Sequence, residues 1–212
     1  FAFFSELEWE HVGAFAFGGW LDYKVADAFH IRLGNLDYLP IQDFERLTRE
    51  HYNYGSFLEL DASGLEFWGA ANGPANKGGF VYSLGMFNGE NDGADNIDLN
   101  SQKDVFAKTS YKIGGTGVLG STTASSTSAF WQDNSVTVGA FEHFGKNSDK
   151  SKNRNLGGNF NILFGDLGLF GLGMVSGAKP VGSSEYKNTF IGFAEADYVI
   201  YPWLIPLVRF EY

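Results

Sequence analysis

Glutamates at alternate positions are the first residues in this chain that could do chemistry together. Glu6, Glu8 and Glu10 stand in the segment FAFFSELEWE, and residues two apart share one face of a β-strand. As a stripe along an aqueous channel they would favour cations. On the outer face of a soluble sheet they would only aid solubility. The length and pattern of the strands described below favour the channel lining.

Other segments repeat this alternation, with ionisable side chains on one face and apolar side chains on the other. Asp22 and Lys24, for example, alternate with Leu21, Tyr23 and Val25. Such ionisable residues would line the same aqueous space. The further candidates are Asp22, Lys24, Arg32, Lys108, Lys112, Arg209 and Glu211.

Opposed charges cluster between residues 41 and 55, where the sequence reads IQDFERLTREHYNYG. The candidates here are Asp43, Glu45, Arg46, Arg49 and Glu50. If the segment 36–62 folds into a channel as an inward loop, these charges would set a local field that sorts solutes. If it is an external loop, they are simply solvated charges.

Calcium is the one metal for which the sequence offers candidate ligands. Glu90, Asp92 and Asp95 offer carboxylate oxygens in an acidic stretch, but the spaced loop that ends in a bidentate glutamate is incomplete. We therefore favour a solvated acidic external loop. The four histidines are scattered without metal-ligand spacing, so neither a metal nor a cofactor is predicted.

Composition argues against several classes of function. The net charge is −10, with 25 acidic and 15 basic residues, and nucleic-acid binding needs a basic face. There is no cysteine, which excludes disulfides and thiolate-bound haem or metal. The serine run STTASSTS has no positioned base and no G-x-S-x-G motif occurs. We therefore predict neither an enzyme nor a nucleic-acid partner.

The elements that position these residues are long β-strands. Apolar and polar residues alternate through about eleven segments of about nine to twelve residues. Soluble strands average about five to six residues, whereas a tilted strand needs about nine to eleven to cross a bilayer. Aromatic residues make up 17% of the chain and charged residues 19%, while the mean hydropathy is only −0.15. Strands with one apolar face and one polar face explain both values.

The connections between strands alternate between short turns and longer polar segments. Outer-membrane barrels place short turns on one rim and longer loops on the other. Residues 114–133 break the alternation, and their Ser, Thr and Gly content predicts a flexible insert. With no repeat and no domain boundary, residues 1–212 are predicted to form a single domain.

One predicted strand is apolar on both faces. Gly165 and Asp166 predict a two-residue hairpin, and a strand follows from Leu167 in the segment LGLFGLGMVSG. One face of this strand would meet lipid. The other is expected to be covered by a subunit contact, a packed loop or a partner.

Three segments resemble the phosphate-selective porin O and P family of Gram-negative bacteria. They are Phe29–Thr48, Gly78–Asn96 with its YSLGMFNG motif, and Ala194–Tyr212 with its Pro-Trp turn. The resemblance implies a transmembrane antiparallel up-and-down β-barrel of about sixteen strands, assembled as a homotrimer. About eleven strands are visible here, so we expect a fragment or an incomplete chain. The acidic balance departs from the basic lumen of that family, so phosphate selectivity is not carried over.

These observations predict an outer-membrane porin. It would form a water-filled channel in the bacterial outer membrane for passive diffusion of small hydrophilic solutes or ions, in contact with membrane lipid and lipopolysaccharide. Two alternatives stay open. One is a barrel sleeve around a multihaem cytochrome, which would make a haem protein its partner. The other is a soluble β-sandwich that binds carbohydrate.

Overall fold

The computed structural model describes most of the chain. The backbone is described for residues 2–10, 13–38, 60–88, 103–118, 133–146 and 151–212, and the side chains for residues 19–34, 63–88 and all later described residues. Among these residues no helix has the length and hydropathy to cross a membrane.

The described residues form a single antiparallel sheet whose strands follow one another in chain order. Eleven strands are described, most of them nine to fourteen residues long. They are β1 Ala2–Glu10, β2 Gly13–Ala26, β3 Phe29–Tyr38, β4 Leu60–Asn72, β5 Gly79–Asn88, β6 Lys103–Gly114, β7 Ser135–Lys146, β8 Lys152–Phe164, β9 Leu167–Lys179, β10 Lys187–Tyr198 and β11 Leu207–Glu211. The predicted all-β, up-and-down arrangement is confirmed. The sheet is not closed, because β1 and β11 form its two edges.

Three short connections lie at one end of the sheet. The β2–β3 and β8–β9 strand pairs turn at residues 27–28 and 165–166, and β4 leads into β5 through a one-turn 3-10 helix, Pro74–Asn76. Gly165 has a φ of +58°, which a glycine adopts without steric cost. Its amide donates to the Asn134 side chain, tying this turn to the start of β7.

Two predicted loop boundaries differ from the strand ends. β3 continues to Tyr38 and β4 begins at Leu60, so the strands extend into both ends of the predicted 36–62 loop. Residues 39–59, with the whole charged cluster predicted there, lie outside the described residues. In the predicted 114–133 insert, the Val118 amide donates to Asn72 at 2.7 Å, while residues 119–132 lie outside.

The two faces of the sheet differ sharply in burial. One face, called here the exposed face, carries large apolar side chains that are accessible. They include Leu21, Leu33, Phe80, Leu84, Met86, Val105, Tyr111, Ile113, Val136, Val138, Phe144, Leu156, Phe160, Phe164, Val175, Phe190, Val208 and Phe210. The other, called the buried face, holds every buried polar side chain among the described strands. They are Asp22, His30, Glu66, Ser83, Asp104, Ser110, Ser135, Thr137, His143, Asn155, Asn159, Asn161 and Glu195.

The buried face also holds an aromatic and aliphatic cluster. Phe170, Leu172 and Met174 of β9 pack with Phe141 of β7 and with Ile191 and Phe193 of β10. These are the side chains on the second apolar face predicted for β9. They are buried against neighbouring strands of the same sheet, and each is at most 5% exposed.

Glycine permits close ring packing on this face. The Phe87 and Phe106 rings stack with centroids 4.6 Å apart, and a Cβ at Gly85 would lie against the Phe106 ring. We expect Gly85→Ala to displace that ring and lower the free energy of unfolding by about 1–3 kcal/mol, measured by urea titration. The control is Gly173→Ala, where the nearest atom to the new Cβ lies 3.8 Å away. Equal losses in the two variants would contradict this account.

Candidate functional site

A row of alternating charges crosses three strands on the buried face. Asp22 of β2 lies directly opposite Arg32 of β3, and Arg32 lies opposite Glu66 of β4. Directly opposed residues share a face and stand within reach of one another. The antiparallel register therefore sets an acid, a base and an acid side by side.

The Arg32 guanidinium joins the two carboxylates. Its Nε donates to Asp22 Oδ2 at 3.2 Å, its Nη2 lies 3.2 Å from the same oxygen, and its Nη1 donates to Glu66 Oε2 at 3.0 Å. The same guanidinium lies 4.6 Å from the centroid of the Trp20 ring and 5.1 Å from that of Trp68. Two indole faces and two carboxylates thus fix the orientation of this cation.

Both carboxylates have further partners that hold them in place. Asp22 bonds to His30 Nδ1 at 2.9 Å and accepts from Trp68 Nε1 at 2.6 Å. Glu66 accepts a hydrogen bond from the Ser83 hydroxyl. Asp22 and Glu66 are each only 5% exposed. This charged network, formed by Trp20, Asp22, His30, Arg32, Glu66, Trp68 and Ser83, presents rigid charges of both signs.

A second ion pair lies at the opposite edge of the sheet. Arg209 of β11 donates to Glu195 Oε2 from Nη2 at 2.7 Å and from Nε at 3.0 Å. Its other terminal nitrogen lies 3.9 Å from Glu211, and the Phe193 ring lies 5.4 Å from the guanidinium carbon. Here again one arginine stands between two carboxylates on the buried face.

Two smaller polar pairs lie between these clusters. His143 Nε2 of β7 stands 3.1 Å from Asp104 Oδ2 of β6, and Lys112 Nζ of β6 stands 2.6 Å from Asp133 Oδ2. No group of three or more metal-ligating side chains forms within the part of the chain that the structure describes. The arrangement provides fixed charges and hydrogen-bonding groups along one surface.

The structure brings several predicted channel-lining residues together. Asp22 and Arg32 meet in the charged network, Arg209 and Glu211 lie in the second cluster, and Lys112 pairs with Asp133. Lys108 lies on the same face, opposite Ser83.

Other predicted residues lie apart from these clusters or outside the described side chains. Lys24 is exposed at the end of β2, where it pairs with Asp27. Glu6, Glu8 and Glu10 alternate within β1, but their side chains are not described. The loop candidates Asp43, Glu45, Arg46, Arg49 and Glu50, and the calcium candidates Glu90, Asp92 and Asp95, lie outside the described residues.

Sequence reasoning missed several members of these clusters. Glu66 and Trp68 alternate with Leu65 and Phe67, so period two could have placed them on the polar face. Their partnership with Arg32 depends on the pairing of β3 with β4, which no local pattern reveals. Glu195 was not predicted as a partner of Arg209 because their contact depends on the pairing of β10 with β11.

Comparison with known proteins adds no identification. No protein-family model matches the chain, and no curated protein or solved structure matches it significantly. The resemblance to the porin family therefore stays a prediction.

Removing the central cation should destabilise the charged network. Arg32→Gln leaves two buried carboxylates without their counter-ion, and we expect it to lower the free energy of unfolding by about 3 kcal/mol. The matched control is Arg154→Gln, since Arg154 forms an exposed pair with Glu142 at 2.9 Å and such pairs contribute about 0–1 kcal/mol. Urea titration of both variants tests this, and a smaller loss for Arg32→Gln would contradict it.

Asp133 should make the β6–β7 connection sensitive to acid. Burial alone would raise its pKa, but hydrogen bonds from Lys112 and the Thr116 amide, with the lysine's charge, bring the pKa below its usual value of 3.8. Since the folded-state pKa lies below the unfolded one, the stabilisation is complete above the unfolded pKa and is lost as the pH falls through the folded one. We expect the wild type to have a larger free energy of unfolding than Asp133→Asn. This difference should be constant near neutral pH and should shrink below about pH 4. A difference that persists unchanged to pH 2 would contradict this.

Proposed function

We propose that the chain is part of an outer-membrane porin that forms a water-filled channel for passive diffusion of small hydrophilic solutes or ions. The observation that supports it is the distribution of side chains between the two faces. Apolar residues occupy the exposed face, while buried ionisable and polar side chains occupy the other. A soluble sheet with one covered face shows the opposite distribution.

The exposed face suits lipid better than water. Val208 is 74% exposed and Phe210 is 65% exposed, and each Å² of apolar surface left in water forgoes about 25 cal/mol. Near the short-turn end, the rings of Tyr201 and Trp203 stack with centroids 5.4 Å apart, and Trp203 is 79% exposed. Aromatic residues of this kind concentrate at membrane–water interfaces.

In this proposal the strands continue into a closed barrel. Closure would pair each edge strand, β1 and β11, with a further strand, because lipid would leave their edge backbone groups without partners. The number of sixteen strands and the homotrimer rest on the family resemblance alone. The bacterial outer membrane, with its lipid and lipopolysaccharide, is the location and environment that the proposal implies.

The buried face would line the channel. Asp22, Arg32 and Glu66 would then present a fixed row of charges to passing solutes, with Arg209, Glu195 and Glu211 as a second group. Charges of both signs on this face support a general channel for hydrophilic solutes. They do not favour phosphate selectivity.

The alternatives have less support. A carbohydrate-binding β-sandwich would need two sheets with apolar faces packed together, whereas the described strands form one sheet with an accessible apolar face. No feature of the described residues favours a sleeve around a multihaem cytochrome.

Planar-bilayer recording of the full protein tests the proposal. We expect stepwise conductance, with detergent required to extract the protein from membranes. Absence of conductance above background, or extraction into buffer alone, would overturn it. A co-purifying haem protein without conductance would instead support the sleeve.

The same recordings test which face lines the channel. We expect Lys108→Gln, on the buried face, to raise the preference for cations over anions because it removes a lining positive charge. Lys77→Gln is the control, because Lys77 lies in the turn between β4 and β5. Equal shifts in reversal potential for both variants would contradict the assignment of this face.

A further inference from the structure

Charged residues on the exposed face are confined to one corner. Among strand residues with described side chains, they occur on this face only in β6–β9, at the end away from the short turns. They are Lys103, Glu142, Lys146, Lys152, Arg154 and Lys179. The rest of the described face is uncharged.

The lysines of this corner stand in one row. Lys146 of β7 lies directly opposite Lys152 of β8, and Lys152 lies opposite Lys179 of β9. Lys103 stands at the same level on β6, two positions beyond the Val105–Phe144 pair. Neighbouring strands are about 4.8 Å apart, so this lysine row sets four positive charges across about 14 Å.

Like charges placed directly opposite one another destabilise a sheet. The nearby carboxylate of Glu142 accepts from Arg154 Nη2 at 2.9 Å, so its charge is already matched. Lys152 is exposed, and the Lys179 ammonium lies 5.8 Å from the centroid of the Tyr186 ring. A ligand with several negative charges would relieve the repulsion.

Apolar residues lie four positions along the strands from the lysine row, beyond the level of Arg154 and Gly177. Leu156 of β8 and Val175 of β9 lie opposite each other, each four residues from the row lysine of its own strand, and Phe190 of β10 lies opposite Val175. All three are at least 40% exposed. The corner therefore offers positive charge at its rim and an accessible apolar surface next to it, which together suit an anionic amphiphile.

We propose that the lysine row binds the phosphate groups of an acylated, phosphorylated glycolipid of the lipid A type, with its acyl chains on the apolar surface beside it. This rests on the proposed function. Although residues 115–134 connect β6 and β7 at the opposite end, the row lies at the end with two of the three longest connections, residues 39–59 and 89–102. In outer-membrane barrels that end faces the exterior, so the row would meet the outer leaflet.

Native mass spectrometry of the full protein in detergent micelles tests this proposal. The protein is titrated with bisphosphorylated lipid A and with its dephosphorylated form. We expect Lys152→Gln/Lys179→Gln to weaken binding of the phosphorylated form by about 30-fold, since each lysine near an anionic lipid contributes about 1 kcal/mol. The control, Lys77→Gln/Lys187→Gln, removes the same charge from a turn and from the buried face, and should change binding less than about twofold.

Three results would overturn the proposal. The first is an equal loss of lipid A binding in the two double variants, and the second is equal binding of phosphorylated and dephosphorylated lipid A. The third is displacement of the lipid by inorganic phosphate. Binding in micelles does not depend on conductance, so the two proposals fail separately. If the protein conducts but does not bind the lipid in a phosphate-dependent way, only the proposal for the lysine row is overturned. If it binds the lipid but does not conduct, only the channel proposal is overturned.

Discussion

The antiparallel register that runs from β1 to β11 is the constraint on which the other features of this protein depend. Each strand pairs with its neighbours in the chain, so residues directly opposite one another share a face across the whole sheet. Asp22, Arg32 and Glu66 meet for this reason, although residues 39–59 separate Glu66 from the other two in sequence. The same register lines up Leu156, Val175 and Phe190 on the opposite face.

Because the register places polar side chains on one face and apolar side chains on the other, the two faces are stable in different environments. Burying the charged network is tolerable, since each carboxylate has donors within hydrogen-bond distance. Leaving rings such as Phe160 and Phe190 accessible is unfavourable in water, because their apolar surface stays hydrated. The proposed bilayer would remove that cost, and the proposed lumen would supply water to the polar side.

Local sequence patterns predicted the strands, the turns and the faces, but not the partners. The turn at Gly165–Asp166 and the polar side of Asp22 and Arg32 follow from residues within a few positions of each other. The packing of the aromatic rings does not follow from neighbouring residues in the sequence. Phe106 fits on the polar face because Gly85 stands opposite it on β5, and that match depends on two strands joined by a long connection. The buried face, expected as a channel lining to be polar throughout, therefore contains an aromatic section that alternation alone did not indicate.

The aromatic section shows that this face could be packed without the charged network around Arg32. Strands β7, β9 and β10 show that this face readily packs Phe141, Phe170 and Phe193. Replacing a buried ion pair by apolar residues of similar volume is often neutral or stabilising, so stability alone does not explain the arginine of the charged network. A fixed cation between two carboxylates would have a role in the proposed channel, because water and charged solutes would pass beside it. In the proposed channel, the charged section would therefore be the part of this face that conducts.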